Sequence, residues 1–554
     1  MECLQVVDRI VVVVDDLGAT LCDGGIVIAT QKYNQTGSAW LGALNWEAAG
    51  QALQQLPVVI PLGGSAVEHG PHLPYDTDLV VASALVEVVA RQFPVLVAPP
   101  IDYVYAPEVD GHGATLSVSA ESFIGLVSDV ISSLARHAAR HILIVARGES
   151  TLAPLQIVSR EMHQEYGITV AIASEAGLAH EIRSAIVTHP AGNHAGEAET
   201  SLMLAIAPER VRLDRTETTI LAAPAASPGA FHEPLFIVPH RIDASGVAGD
   251  LSAASAEKGR RIFDASVAEI VEHLQSITAT WKNYPAGDGI PDSAFDAIEP
   301  RSTRPAGLGI RLSDLYGPDW PQALDRCQVA VLPMGATSKE HGYHLPNQTD
   351  YITADALGDS AVARLPILLL PTFGYGYYPA FVDWPGSMSL SPDIYRRIAG
   401  DIIACLANAG LKKILLLDTG LSTRPVLEIV ARDALREHGV LVALATTELG
   451  REVALDLFDG EGTHANEDET ALLLAIAPDQ VDLSRAVADL RPSTVISRRD
   501  PFAPPAFIQG GKMRSTSGVF GDPTKATRES GVKYLDAKIH DLVTFLEEFI
   551  ALKL

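Results

Sequence analysis

Cysteine is scarce in this chain of 554 residues: Cys3, Cys22, Cys327 and Cys405 are widely scattered, and none forms a CxxC pair. That excludes a disulfide framework and points to a reduced, cytoplasmic protein. Long apolar runs are also missing. None approaches the roughly 18 residues a membrane span requires. The early run Ile10 to Val14 stops at Asp15-Asp16, so no signal peptide is expected. Positive charge is in short supply, with 41 Lys and Arg against 68 Asp and Glu and a formal net charge of −27. Such a surface disfavours nucleic acid and anionic membranes as partners. Apolar residues are plentiful at 47%, enough for a large core, and the length suggests about two domains.

One stretch organises the rest. Residues 67–78, Val-Glu-His-Gly-Pro-His-Leu-Pro-Tyr-Asp-Thr-Asp, follow a strand-like run (Pro57 to Leu62) and precede a helix-like run from Leu79 to Phe93. Open α/β sheets bind ligands on loops of this kind. The pattern returns at 339–350 as Lys-Glu-His-Gly-Tyr-His-Leu-Pro-Asn-Gln-Thr-Asp. His69 thereby recurs as His341, an offset of 272. A second block, His194-Ala-Gly-Glu-Ala-Glu199-Thr, recurs as His464-Ala-Asn-Glu-Asp-Glu469-Thr, and Ser245 to Asp250 recurs as Ser517 to Asp522. Agreement at separated blocks marks an internal duplication in which each half is a complete domain.

In order, residues 1–38 read as a hairpin-like extension without chemistry. Residues 39–280 form the first repeat, 281–305 a linker rich in Pro, Gly, Asp and Ser, and 306–554 the second repeat. Apolar strands alternate with helices, including Ser119 to Arg140, Leu152 to Tyr166 and Ala254 to about Ile277. This indicates a mostly parallel sheet covered on both faces.

Imidazole and carboxylate are the ligands that Zn²⁺, Mn²⁺ and Fe²⁺ accept. Pro71 and Pro74 stiffen the loop between His69 and Asp78, and His194 with Glu199 come from a second loop at a helix start. A single loop histidine is usually an ordinary polar surface group. Recurrence of the whole set in two diverged halves favours a metal site instead. His137, His141, His163 and His180 have no such support and read as helix-surface or structural residues.

The two blocks, with Pro61-Leu-Gly-Gly-Ser65 and Pro333-Met-Gly-Ala-Thr337 ahead of the loops and Gly-Val-x-Gly-Asp at the close, resemble the creatininase (creatinine amidohydrolase) family over nearly all of both repeats. The resemblance implies two tandem α/β domains, each a mostly parallel sheet flanked by helices, with a dinuclear metal centre and a homo-oligomeric assembly. It also implies that His69, Asp78, His341 and Asp350 are metal ligands, that Glu199 and Glu469 are ligands from the second loop, and that His194 and His464 lie near the substrate. Two departures stand out. The family's Glu-Gln-His is here Val67-Glu68-His69 and Lys339-Glu340-His341, which displaces the acid by one residue to Glu68 and Glu340. The family's Asn-Gly-His after a central strand is Ala146-Arg147-Gly148 and Asp418-Thr419-Gly420. A single-metal site of His69, Asp78 and Glu199 is therefore expected, with Glu149 a substitute donor in the first half.

The expected function is a metal-dependent amidohydrolase that cleaves a C–N bond of a small cyclic amide, formamide or related metabolite. Zinc is the first choice of ion, with manganese and iron as alternatives. His194, His464, Glu68 and Glu340 are the candidate catalytic groups, with the histidines as proton shuttles that titrate near neutrality. Three alternatives use the same fold: one half catalytic and the other structural, a binding or assembly protein without catalysis, and a ring-forming enzyme. Tyr375, Tyr377, Tyr378 and Trp384 either line a pocket in the second half or pack between the repeats.

Overall fold

The computed structural model describes residues 38–188, 194–216, 246–247, 250–279, 307–445, 448–458, 462–490 and 515–553. The expected hairpin-like extension, apart from Ser38, and the expected linker lie outside these residues. In the first half, β1 (Ala39–Trp40) leads to α1 (Trp46–Gln55), β2 (Val58–Leu62), α2 (Thr77–Gln92) and β3 (Leu96–Val97). Then come α3 (Ala120–Arg136), β4 (His141–Ala146), α4 (Leu152–Tyr166), β5 (Thr169–Ser174), α5 (His180–Ile186), α6 (Glu197–Ile206) and α7 (Ala256–Thr278). The second half repeats the plan with β6 (Ile310–Arg311), α8 (Trp320–Arg326), β7 (Val329–Met334), α9 (Thr349–Arg364), β8 (Leu368–Leu369), α10 (Pro392–Asn408) and β9 (Lys413–Asp418). It continues with α11 (Arg424–His438), β10 (Leu441–Ala445), α12 (Arg451–Leu457), β11 (Gly462–His464), α13 (Glu467–Ile476), β12 (Phe520–Gly521) and a closing helix, Arg528–Ala551.

Each half holds a five-stranded parallel sheet. The orders are β1-β3-β2-β4-β5 and β6-β8-β7-β9-β10, the same path traced twice. Every residue of β2 and β7 is buried, as central strands covered on both faces must be. Side chains alternate across the pleat. Val58, Ile60 and Leu62 enter one cluster with Phe123, Leu126 and Leu155, while Val59 enters another with Val81 and Phe263. In the second half Ala330, Leu332 and Met334 join the first of these clusters. One continuous apolar core therefore runs through both halves, with α3 packed on α10. Each fully buried Ile or Leu contributes about 1.5–3 kcal/mol relative to exposure, so parting the halves would be costly.

The halves also exchange short arms. The segment after β6 lies on the first half's histidine loop: Tyr75 N donates to Leu315 O at 3.0 Å and Gly317 N to Gly70 O at 3.2 Å. The segment after β1 lies on the second loop in the same way, with Asn347 N donating to Leu44 O at 2.8 Å and Gln348 N to Gly42 O at 3.0 Å. Trp46 then lies tilted against Tyr343 at 5.1 Å and meets Trp384 edge-on at 4.9 Å. Of the four loop aromatics, Tyr375 and Trp384 pack between the repeats, while Tyr378 lies beside Lys339 in the second site.

Several element ends differ from the sequence reading. Helix α2 begins at Thr77, whose hydroxyl donates to Pro74 O at 2.7 Å, so Asp78 sits in the first helical turn rather than on the loop. Helix α3 stops at Arg136 because the chain turns left-handed at Ala138, with φ 78°. Among the described residues no helix is long and apolar enough to cross a membrane.

Candidate metal centres

The loop after β2 folds back at Gly70, and its counterpart after β7 at Gly342, with φ of 74° and 73°. A side chain is strained at such angles, which accounts for glycine after each loop histidine. The His69 ring is fixed through Nδ1, which donates to Val67 O at 2.9 Å. Nε2 is left pointing at Asp78, with Oδ1 3.6 Å away. Both Nε2 and Oδ1 are buried without a hydrogen-bond partner. The second half has the same pair, closed there by a hydrogen bond. His341 Nδ1 meets Lys339 O at 2.9 Å, and Nε2 is 3.2 Å from Asp350 Oδ1.

The second block arrives at the N-terminus of α6 and of α13. Ala195 and Ala465 adopt left-handed conformations, φ 51° and 47°, unusual for a residue with a Cβ. Their amides donate to Glu199 and Glu469 Oε2, each at 2.6 Å, which fixes the carboxylates at the helix ends. His194 Nε2 donates to Glu68 O at 2.7 Å, and its ring lies tilted 4.7 Å from that of His69; His464 matches both contacts with Glu340 O and His341. The tautomer this requires leaves each Nδ1 as an acceptor. His69, His194 and Glu199 bring ligand atoms within 4.8 Å of one another, and so do His341, His464 and Glu469.

Charge in the first site is governed by burial and by close opposite partners. Burial opposes protonation of His69, but the Asp78 carboxylate outweighs it and raises the pKa to about 10. Burial would raise the Asp78 carboxyl; His69 and then Arg147 prevail and hold it below the usual carboxylate range. The gap between Nε2 and Oδ1 therefore attracts a cation, either a proton or a metal ion. His194 is driven the other way. Burial, reinforced by His69, lowers it to about 3, so it is neutral throughout the physiological range. This corrects the expectation of a shuttle titrating near neutrality; burial likewise holds His464 well below the usual histidine value.

Glu68 and Glu340 stand outside the ligand clusters. Each carboxylate accepts the amide two residues on, Gly70 N at 2.7 Å in the first half and Gly342 N in the second. Room for them comes from the closing block, since a Cβ on Gly246 would lie 2.1 Å from Glu68 Oε2 and one on Gly518 1.7 Å from Glu340 Oε1. The expectation for Glu149 is corrected. It begins a short turn of 3₁₀ helix and is exposed, because the chain after Gly148 runs outward into α4. The acid that joins Asp78 and Glu199 in a cluster is Glu175, one residue beyond β5.

Sequence reading also missed two cations. Arg147 is buried, with Nη2 2.7 Å from Glu175 Oε1 and 3.1 Å from Glu199 Oε1, and Nε 3.8 Å from Asp78 Oδ1. Lys339 is buried with Nζ 2.6 Å from Asp350 Oδ2, facing the rings of Tyr378 and Phe381 at 5.2 and 5.0 Å. The signal was the charge itself, a basic residue inside each otherwise acidic motif.

A duplicated parallel α/β domain with paired histidine–carboxylate clusters beyond its strand ends matches a described class. The family model for creatininase, creatinine amidohydrolase, matches residues 42–274 and again 313–546, so the chain belongs to that family as a tandem duplication. A mycofactocin precursor peptide peptidase of Mycobacterium ulcerans (strain Agy99) is 33% identical over 262 residues, which is 45% of this chain and 94% of that protein. A creatinine amidohydrolase of Pseudomonas putida is 28% identical over 261 residues, 43% of this chain and 96% of that protein. Solved structures include a creatininase variant of Zn-Zn type, 23% identical with a TM-score of 0.38, covering 44% of this chain and 98% of its own.

Proposed function

We propose that the chain is a metal-dependent hydrolase of amide-type C–N bonds with a candidate centre in each half. The carrying observation is the opposed pair His69 Nε2 and Asp78 Oδ1 at 3.6 Å, repeated by His341 and Asp350 at 3.2 Å. Two donors that share one ion at about 2.0–2.2 Å each lie about 3–3.5 Å apart. In each pair the histidine's other nitrogen is held by a backbone carbonyl, the outer support that fixes a ligand's tautomer. The donors present thus fit a single divalent ion, held by His69, Asp78 and Glu199 and by His341, Asp350 and Glu469.

Such an ion, when bound, supplies an acidified water and polarises a carbonyl. The chain's own groups do the rest. His194 and His464 stay neutral, and each presents an unprotonated Nδ1 that accepts a hydrogen bond and so orients the attacking water. Glu68 and Glu340 are positioning residues: they pin the turn, and their backbone carbonyls orient the two histidines. The relatives named above include a precursor peptide peptidase and a creatinine amidohydrolase, so the substrate class covers small amides, formamides and peptide amides.

The test is metal content per chain, alongside hydrolysis of an amide, formamide and peptide panel, for wild type, His69→Ala and His341→Ala. The reading expects each variant to lose about one equivalent. Metal-free wild-type protein without hydrolysis would end it, and loss in only one variant would confine the centre to that half.

A further inference from the structure

The internal duplication lets one half serve as the control for the other. Arg147 follows β4, and its amide donates to Leu62 O at 2.8 Å; the equivalent residue after β9 is Thr419, whose amide donates to Met334 O at 3.1 Å. Lys339 opens the second histidine loop, its amide donating to Asn347 O at 2.9 Å; the equivalent residue is Val67, whose amide donates to Tyr75 O at 3.0 Å. The backbones are the same, yet the cation comes from a different loop in each half. It is missing from the matching position both times. What the halves share is one buried positive side chain against the same aspartate, Asp78 or Asp350.

In the first half this cation does more than pair. Asp78, Glu175 and Glu199 bring carboxylate oxygens within 4.8 Å of one another, a set that can hold a metal ion, and the Arg147 side chain contacts all three. The set of His69, His194 and Glu199 is separate in its nitrogen donors and shares Glu199, while Asp78 lies between the two positions, 3.6 Å from His69 Nε2. Two buried carboxylates, Asp78 and Glu199, beside the half-buried Glu175 would be strongly destabilising without a counter-charge, so the position demands a cation of some kind.

We infer that Arg147 and Lys339 are built-in cations, each filling a position beside the shared aspartate that a second metal ion would otherwise take, and so limiting each half to one ion. The inference rests on the proposed metal centres for the ion at the histidines and on geometry alone for the cations. Arg147 and Lys339 are accordingly positioning residues, with no contact to a reacting atom required.

The experiment is metal stoichiometry by elemental analysis after equilibration with Mn²⁺ or Zn²⁺, with thermal melting recorded with and without the ion. It uses the full chain as wild type, Arg147→Ala, Arg147→Lys and Lys339→Met. Arg147→Ala should gain about one equivalent over wild type and melt lower without metal, with added metal restoring the melting temperature. Lys339→Met should gain about one equivalent in the same way, and Arg147→Lys should stay at the wild-type content. Two ions per half in wild type would overturn the inference, as would Arg147→Ala and Lys339→Met that melt as folded proteins at unchanged metal content. An Arg147→Ala protein that fails to fold and is not rescued by either metal would also overturn it. Should wild type bind no metal while Arg147→Ala does, the built-in cation stands and the hydrolase reading falls. Should wild type bind one ion per half with no gain in the variants, the reverse holds.

Discussion

The Tyr103 hydroxyl donates to the carbonyl of Pro371 at 2.7 Å, joining residues 268 apart in sequence. Its counterpart Tyr375 returns the bond to Pro99 at 3.0 Å. Both rings are buried. Tyr375→Phe should lower stability by about 1–3 kcal/mol, because it leaves the buried Pro99 carbonyl with less hydrogen bonding, and Tyr103→Phe by less, because the Pro371 carbonyl is only partly buried. Denaturant unfolding should remain a single transition in both, since the core is continuous. Two separated transitions would contradict that core.

Asp102, beside this seam, has its carboxyl raised to about 7 by burial, against weaker opposing hydrogen bonds. An acid whose pKa is higher folded than unfolded favours the fold when protonated. Its contribution is full below the unfolded value near 4 and is lost as pH climbs toward 7. Asp102→Asn should remove this slope, worth about 4 kcal/mol between pH 4 and pH 8. Melting temperatures of both proteins across that interval provide the check; parallel curves would refute the assignment.

Metal affinity at the first centre should depend on pH. With the His69 pKa raised to about 10, an entering ion must displace a proton throughout the neutral range. Apparent affinity should therefore climb by up to about tenfold per pH unit between pH 6 and 8. Calorimetric titration in buffers of different ionisation enthalpy would count the released proton. Release of none would mean that His69 is not a ligand.

Gly518→Ala should be more harmful than a usual glycine replacement. The residue has φ 85°, and the new methyl would fall on the Glu340 carboxylate. Strain at φ > 0 alone costs on the order of 1–3 kcal/mol. The displaced Glu340 should also disturb His464, whose Nε2 lies 3.2 Å from Glu340 Oε2. The expected result is a lower melting temperature together with loss of the activity that depends on the second half. Normal behaviour in both assays would show that the turn can yield.

Much of this was legible in the sequence because the signals were local. Buried parallel strands read as short apolar runs, and the site blocks announced themselves by recurring. The capture of Asp78 by α2 was not legible, since it depends on the Thr77 bond to Pro74 at the helix start. Glu175 was invisible because nothing near it repeats; only the parallel pairing of β4 with β5 carries it to Arg147. Arg147 and Lys339 sat in plain view within the motifs, but their neighbours come from distant loops, and a charge has no evident role until its counter-charges are located. The low affinity of His194 for protons likewise follows from burial, which spacing does not report.

The exchanged arms have a genetic consequence. Each half's histidine loop is braced by backbone donated from the other, at Leu315 and at Leu44. Neither copy can then be silenced by deletion, since removing one strips the support from its sibling. Drift within one copy is also felt in the other: Trp46, encoded in the first repeat, packs against Tyr343 and Trp384 of the second. The two repeats are free to diverge in their chemistry while being inherited as a single, indivisible unit.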